Sequence, residues 1–446
     1  MGSVKDLITP ENAVSNMELF AAQLYRPPQP HAFGLGAWKC SGRFSVADLK
    51  DLIPDVEIPD KKYILPMMTA AYFEHIASRG VLTTYEGMMD KDGKVVSVND
   101  LISRGDFSEF IVMKLANTPR FPHDATIDEK RQVIKDYHTA INDGSITVYV
   151  ADSESVFRAG LPLGSSTFKK IFKAAGRGDI YESLATYDQT AAVLEEIKRD
   201  VHSQGLVRFK DLWAILNDIG VKDIPFPGQM FDKIALNFDT KFELAGDLPI
   251  ETDEEAARRM GVAGYVYDIW KTNVRNCAED QIEFSRKRGI INIDGKVEGV
   301  VVKTQSGPTL YLADFANTPD ENRLMITYEK DGITYMIPAN KEIARAKFRE
   351  LGIYAACDAA KAEAVHKEGS ADNWRAYIFN HTTKEKLAEA TQVSTDLQMY
   401  ALREVANRTF RDLAGKDVFT PTVSIDTWVD GFLPYASRVQ PDYKLK

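Results

Sequence analysis

In an extended strand, side chains two residues apart point the same way, so the run IDGKVEG sends Asp294, Lys296 and Glu298 to one face and Val297 to the other. Two carboxylates flanking one amine can handle a nucleotide: the amine neutralises phosphoryl oxygens while a carboxylate holds a divalent cation. On spacing alone, the commoner meaning of such a run is a solvated strand face of mixed charge. The following segment, LADFANTPDENRLM, ends a second apolar run in Asp314 and then turns through Asp320 to Arg323. If the two strands are neighbours, Asp314 comes beside Glu298, and two carboxylates from adjacent strand ends suit Mg2+. Read by itself, TPDEN is an ordinary Pro-Asp turn capping a helix.

The elements needed to hold these residues are legible in outline. Met68, Ala71, Tyr72, Phe73 and Ile76 form one helical stripe closed by Gly80, and DQTAAVLEEIKRDVHSQG predicts a helix with Val193, Leu194, Ile197 and Val201 inward. A longer helix is expected from the capping-box pair Thr252 and Glu255 through Trp270 and Val274 toward Gly289. FSEFIVMKL and SITVYVADSESVFRAG have the composition of strands, separated by a helical stretch around EKRQVIKDYHTAIND. GIINIDGKVEGVVV and TLYLADF read as two more strands joined across SGP, and residues from about 340 onward are rich in Ala, Lys, Glu and Arg, as helices are. The class is α+β.

Composition narrows the function. The chain has 446 residues, 44% of them hydrophobic, enough for a large core of two or three packed lobes. Its net charge of −10 disfavours nucleic acid as a partner but not a locally cationic pocket for small anions. Three scattered cysteines form neither a disulfide framework nor a zinc motif, and no run approaches the roughly 20 apolar residues of a membrane span, so the expectation is a cytoplasmic protein with no membrane partner. HExxH, GxxxxGK[ST] and GxGxxG are all absent, which removes metalloprotease, P-loop and dinucleotide-binding readings.

In order and spacing, these segments resemble the phosphoribosylaminoimidazole-succinocarboxamide synthase (SAICAR synthetase) family, whose members show a D-x-K-x-E strand followed by a D-x-x-x-x-P-D-x-x-R-L segment, as DGKVE and DFANTPDENRL stand here. ESVFRAGLPLGSSTFKK resembles the family segment in which an arginine on a strand precedes a Gly-Ser turn that grips the substrate phosphate; Arg158, Gly164, Ser165 and Ser166 match. That match has physical sense, because glycine admits close backbone approach, hydroxyls and amides donate to phosphate, and the guanidinium forks onto the anion. Further similarity lies in MGSVKDL, SGRFSVADLKDLIPDVEIPDKK, TKFELAGDLPIETDEEA and KEIARAKFREL, with insertions near 121–147 and 170–232 and an extension after about 360.

The resemblance implies a two-lobed, ATP-grasp-related fold with mixed and antiparallel sheets: an N-terminal nucleotide-binding lobe (1–115), a central α+β domain (116–355) and a helical C-terminal extension (356–446). It implies Lys296, Glu298 and Asp314 as the catalytic set, Mg2+ on Glu298 and Asp314, and ATP held by Lys5, Glu154, Lys296 and Glu298. The substrate residues it implies are Asp48, Lys62, Arg158, Ser165, Ser166, Asp294 and Arg323, with Arg345 and Arg349 adding positive charge or only surface ion pairs. The implied activity condenses carboxyaminoimidazole ribonucleotide with L-aspartate through an acyl phosphate, yielding ADP and phosphate. The chain departs from the family at Gly42 and Phe315, where acidic residues are usual. Two alternatives therefore stay open: a related carboxylate–amine ligase with another substrate, and a non-catalytic nucleotide-binding protein of the same fold. A homo-oligomer is compatible with all three.

Overall fold

The computed structural model describes residues 5–43, 56–122, 125–205, 209–243, 249–369, 371, 373–420 and 425–438. Their strands form three sheets. The first contains β1 (Lys5–Leu7), β2 (Gly34–Cys40), β3 (Tyr85–Met89), β4 (Val95–Val96) and β5 (Phe110–Leu115) in the order β1-β2-β5-β3-β4. The second contains β6 (Val148–Leu161), β7 (Gln229–Asp239), β9 (Asp294–Thr304) and β10 (Gly307–Ala313) in the order β10-β9-β6-β7. The third contains β8 (Ile290–Asn292), β11 (Leu324–Lys330), β12 (Ile333–Pro338) and β13 (Ser437–Arg438) in the order β13-β12-β11-β8. Every pairing between these strands is antiparallel, which makes the fold α+β, as the alternation of strand and helix patterns predicts.

The helices are α1 (Asn16–Leu24), α2 (Lys61–Ala77), α3 (Val98–Arg104), α4 (Ile127–Asn142), α5 (Ser166–Ala174), α6 (Tyr187–Gln204), α7 (Lys210–Asp218), α8 (Asp253–Arg259), α9 (Gly264–Arg286), α10 (Glu342–Glu350), α11 (Ile353–Glu368), α12 (Lys384–Ala414) and α13 (Ile425–Phe432). Capping boxes start α1 at Ser15, α4 at Thr126 and α6 at Thr186, each with its N3 side chain returned to the cap backbone. The long helix expected from Thr252 is in fact two. Gly261 breaks it in a left-handed conformation (φ +63°), where a Cβ would lie 2.2 Å from Ile141 of α4. Helical periodicity continues across the break because both halves face the same core, so apolar spacing alone does not reveal it. None of the described helices is long and apolar enough to cross a membrane.

One apolar core runs through all three segments, joining Met67 and Phe73 of α2, Trp270 of α9 and Leu402 of α12. The segment after residue 356 is not wholly helical: Ser437 and Arg438 return to pair with Met336 and Tyr335, adding an edge strand to the third sheet. Two residues of strand carry no periodicity to read. Of the two segments expected to be insertions, 121–147 contains α4, whereas 170–232 contains α6 and α7, which pack with α5 around a second core of Phe168, Phe172, Leu194, Ile197 and Leu212. The three cysteines are buried, and no disulfide joins them among the described residues.

The close approach of α9 to the second sheet is testable. A Cβ at Gly299 would sit 2.6 Å from the ring of Trp270, which is 1% exposed. Gly299→Ala is therefore expected to destabilise the protein by about 1–3 kcal/mol through overpacking. An unchanged denaturation midpoint would contradict this packing.

Candidate active site

Strand register does what spacing alone leaves open. Along the β6/β9 pair, Glu154 lies opposite Glu298, Val156 opposite Lys296 and Arg158 opposite Asp294. Directly opposed residues share a sheet face, so five polar side chains from two strands project together. On the other side of β9, Ala313 pairs with Glu298, and the next residue, Asp314, turns back with φ +61°. Aspartate tolerates this left-handed conformation better than most residues. Asp239 of β7 lies opposite Glu154, and Lys241 follows two positions later.

One end of this face is a lysine–carboxylate cluster. Lys296 Nζ donates to Glu298 Oε1 at 2.7 Å and to Glu154 Oε2 at 3.4 Å, and lies 3.0 Å from Glu321 Oε2 and 3.7 Å from Asp314 Oδ2. Lys5 pairs with Asp314 and Lys241 with Glu298. Four carboxylates thus share three ammonium groups in a largely dry setting. Burial drives Lys241 down to about 7, with Lys296 adding like-charge repulsion. It drives Lys5 down to about 8, against the opposing pull of Glu321. For Lys296, burial acts downward too, but Glu321 and Glu154 outweigh it and its pKa rises. Glu321 falls to about 2: burial opposes the drop, and Lys296, Lys341 and Lys5 overcome it.

At the other end is an arginine cluster. Asp294 Oδ2 holds Arg323 at 2.5 Å and Arg158 at 3.6 Å. Arg158 reaches Ser165 Oγ and Ser166 Oγ, each at 3.4 Å, at the start of α5, where Ser165 caps the helix. Glu342 pairs with Arg345 at 2.5 Å and with Arg323 at 3.3 Å. Gly164 has φ +83°, and a Cβ there would lie 2.6 Å from Glu342 Oε2 and 3.3 Å from an Arg349 nitrogen. Arg349 also lies over the rings of Tyr181 and Tyr354, 5.7 and 5.4 Å from their centroids. Four arginines against two carboxylates, beside the start of α5 with its hydroxyls Ser165 and Ser166, make a receptor for an oxyanion.

The loop 314–323 ties the two ends together. Asn317 Oδ1 accepts from Ser285 and Asn292, each at 3.0 Å, and Asn322 donates to Gln281 at 2.7 Å. Asp320 pairs with the fully buried Lys61 at 2.9 Å. Lys241 is fixed through its backbone: Asp152, 1% exposed, accepts from the amides of Lys241 and Phe242 at 3.1 and 2.9 Å.

Of the residues singled out in the sequence, the structure brings Lys5, Glu154, Lys296, Glu298 and Asp314 into the first cluster, and Arg158, Ser165, Ser166, Asp294, Arg323, Arg345 and Arg349 into the second. Lys62 joins neither; it pairs with Glu109 at 3.4 Å and lies over Tyr63, while its neighbour Lys61 is the one turned inward. A helix rotates successive side chains by about 100°, so a one-residue choice on α2 selects a different face. Asp48 lies outside the described residues. Sequence reading missed Lys241, Glu321 and Glu342, although each sits in a segment that carries the family resemblance. Phe315 is buried beneath Lys5, whose ammonium lies 4.6 Å from the ring centroid.

Mg2+ takes hard oxygen donors and is commonly held by one or two carboxylates together with phosphate oxygens, and the carboxylates here are of that type. Among the described residues, no group of three or more His, Cys, Asp or Glu is placed to hold a metal without such help.

This chain is similar to SAICAR synthetases. It is 24% identical over 354 residues to a putative phosphoribosylaminoimidazole-succinocarboxamide synthase of Archaeoglobus fulgidus, covering 79% of this chain and 81% of the relative. No protein-family model matches. Among solved structures, the synthase from Ehrlichia chaffeensis aligns with 83% of this chain and 97% of its own at 11% identity and a TM-score of 0.40. SAICAR synthase from Saccharomyces cerevisiae, complexed with SAICAR, aligns with 86% of this chain and 93% of its own at 11% identity and a TM-score of 0.39. Scores this low carry no weight for the fold, which stands on its own strand order.

Proposed function

We propose that the chain is an ATP-dependent carbon–nitrogen ligase of the SAICAR synthetase type, condensing the carboxylate of carboxyaminoimidazole ribonucleotide with the amine of L-aspartate. The observation that carries this reading is that one strand, β9, contributes Asp294 to an arginine cluster and Lys296 and Glu298 to a lysine–carboxylate cluster on the same face. A ligase of this kind needs those two environments side by side: one for a nucleotide triphosphate, the other for a phosphorylated substrate.

In the proposed reaction the substrate carboxylate attacks the γ-phosphorus of ATP and ADP departs; the aspartate amine then attacks the acyl carbon and phosphate leaves. Mg2+, held by Glu298 and Asp314, would withdraw charge from the transferred phosphoryl group. Lys5, Lys241 and Lys296 would exchange their carboxylate partners for phosphate oxygens, neutralising charge that grows in the transition state. Arg158, Ser165, Ser166 and Arg323 would fix the ribonucleotide phosphate and ribose end, and Asp294 would hold both arginines in place. The protein then contributes orientation and fixed charge without a covalent nucleophile.

Phe315 and the helical 170–232 insertion favour one second reading, a related ligase with a different carboxylate or amine. A coupled assay of ADP release decides among these. The expected result is ADP formation that requires both the ribonucleotide and aspartate, with a product mass equal to their sum less water. A different product mass would select the second reading, and no substrate-dependent ADP would leave a non-catalytic nucleotide-binding protein.

A further inference from the structure

Every cation described above in the two clusters has a carboxylate, hydroxyl or ring partner, but Lys341 does not: among the described residues its ammonium makes neither a hydrogen bond nor an ion pair. Its place is well defined. Lys341 immediately precedes α10, and its backbone amide donates to Pro319 O at 3.4 Å, against the turn that carries Asp320 and Glu321. Asn340 secures the same corner, donating to Leu324 O at 2.8 Å and accepting from the amide of Glu342 at 2.8 Å. Lys341 is partly buried, and its electrostatic neighbours are Arg345 and Glu342 on one side and Glu321 and Asp320 on the other. It therefore stands at the junction of the two clusters. Burial, with repulsion from Arg345, also depresses its pKa.

A partly buried ammonium whose neighbouring carboxylates Glu321, Asp320 and Glu342 make no direct ion pair with it keeps its donors open to an anion supplied from outside. We propose that Lys341 binds a carboxylate of the amine substrate, a dicarboxylic amino acid. This rests on the ligase reading above, in which the amine must approach the activated acyl carbon where the nucleotide and ribonucleotide ends meet. The cations at either end are already matched to carboxylates that phosphates would displace or that arginines share. Among the described cations of the two clusters, Lys341 is the one left for a third anion.

The test varies each substrate in turn, the others saturating, for the wild type and Lys341→Gln. The aspartate KM is expected to rise about tenfold or more, the loss of one charge-assisted contact, while the ATP and ribonucleotide KM values stay within about twofold. The inhibition constant of succinate, a dicarboxylate that lacks the amine, should rise by the same factor. An ATP KM that rises in place of the aspartate KM would assign the lysine to phosphate and overturn the proposal, as would three KM values that move together. Should the variant fold poorly, the wild type answers: succinate is expected to slow acetimidate labelling of Lys341, followed by peptide mass, and an unaltered labelling rate rejects the contact. A wild type that makes no aspartate-dependent product refutes the ligase reading itself; product with an aspartate KM indifferent to Lys341→Gln refutes this inference alone.

Discussion

Glu298→Gln is expected to lower turnover by about a thousandfold while leaving a folded protein, because it removes one of the two proposed metal-holding carboxylates and the charge that organises Lys241 and Lys296. Loss of one partner from a buried ion pair ordinarily destabilises strongly. Two features limit the damage here. Lys241 already lies near neutrality, its pKa pushed to about 7 by burial, so it can shed its proton when its partner goes. Lys296 keeps Glu154, Glu321 and Asp314. The balance of four carboxylates to three lysines becomes three to three. Turnover and melting temperature measured together decide the matter: near-normal turnover in a folded variant removes Glu298 from the chemistry, whereas a collapse in melting temperature would mean its role is chiefly structural.

Arg158→Ala should act on binding. Arg158 is the residue through which Asp294, Ser165 and Ser166 meet, and its side chain is 12% exposed, so a phosphate there would be bound with little competition from water. The ribonucleotide KM is expected to rise about a hundredfold, corresponding to the 1.5–3 kcal/mol of charged hydrogen bonding, with a smaller change in kcat. Arg158→Lys sharpens the test. Lysine keeps the charge but cannot span two serine hydroxyls and an anion with one planar fork, so it should recover only part of the loss. If the ribonucleotide KM is unchanged in the alanine variant, the arginine cluster serves some other anion.

The alternation Asp294-Lys296-Glu298, the strand-end Asp314 and the Arg158–Ser165 spacing are local patterns, and local patterns survive in a sequence because period-two geometry links neighbours along one strand. The α+β class and the Thr252 cap of α8 were legible from similarly local signals, whereas the caps at Ser15, Thr126 and Thr186 were not read. Lys241, Glu321, Glu342 and Lys341 were not. None lies on the same strand face as the motif; each reaches the site by a loop or a helix start whose path depends on contacts distant in the chain, such as Asp152 holding the 241–242 backbone and Asn322 meeting Gln281. The inward turn of Lys61 in place of Lys62 has the same origin, since the rotation of α2 is set by the core it packs against.

By itself, then, the amino-acid order determined which residue types recur at chemically useful spacing and which segments become strands or helices. Tertiary structure alone decided that Glu154 opposes Glu298, that Arg158 opposes Asp294, and that one lysine at the junction has no direct ion-pair partner among the described residues. The reason is physical: hydrogen-bond register and packing across distant segments choose which charges share a face, and a one-residue slip of β6 against β9 would send Glu154 and Arg158 to the other side of the sheet.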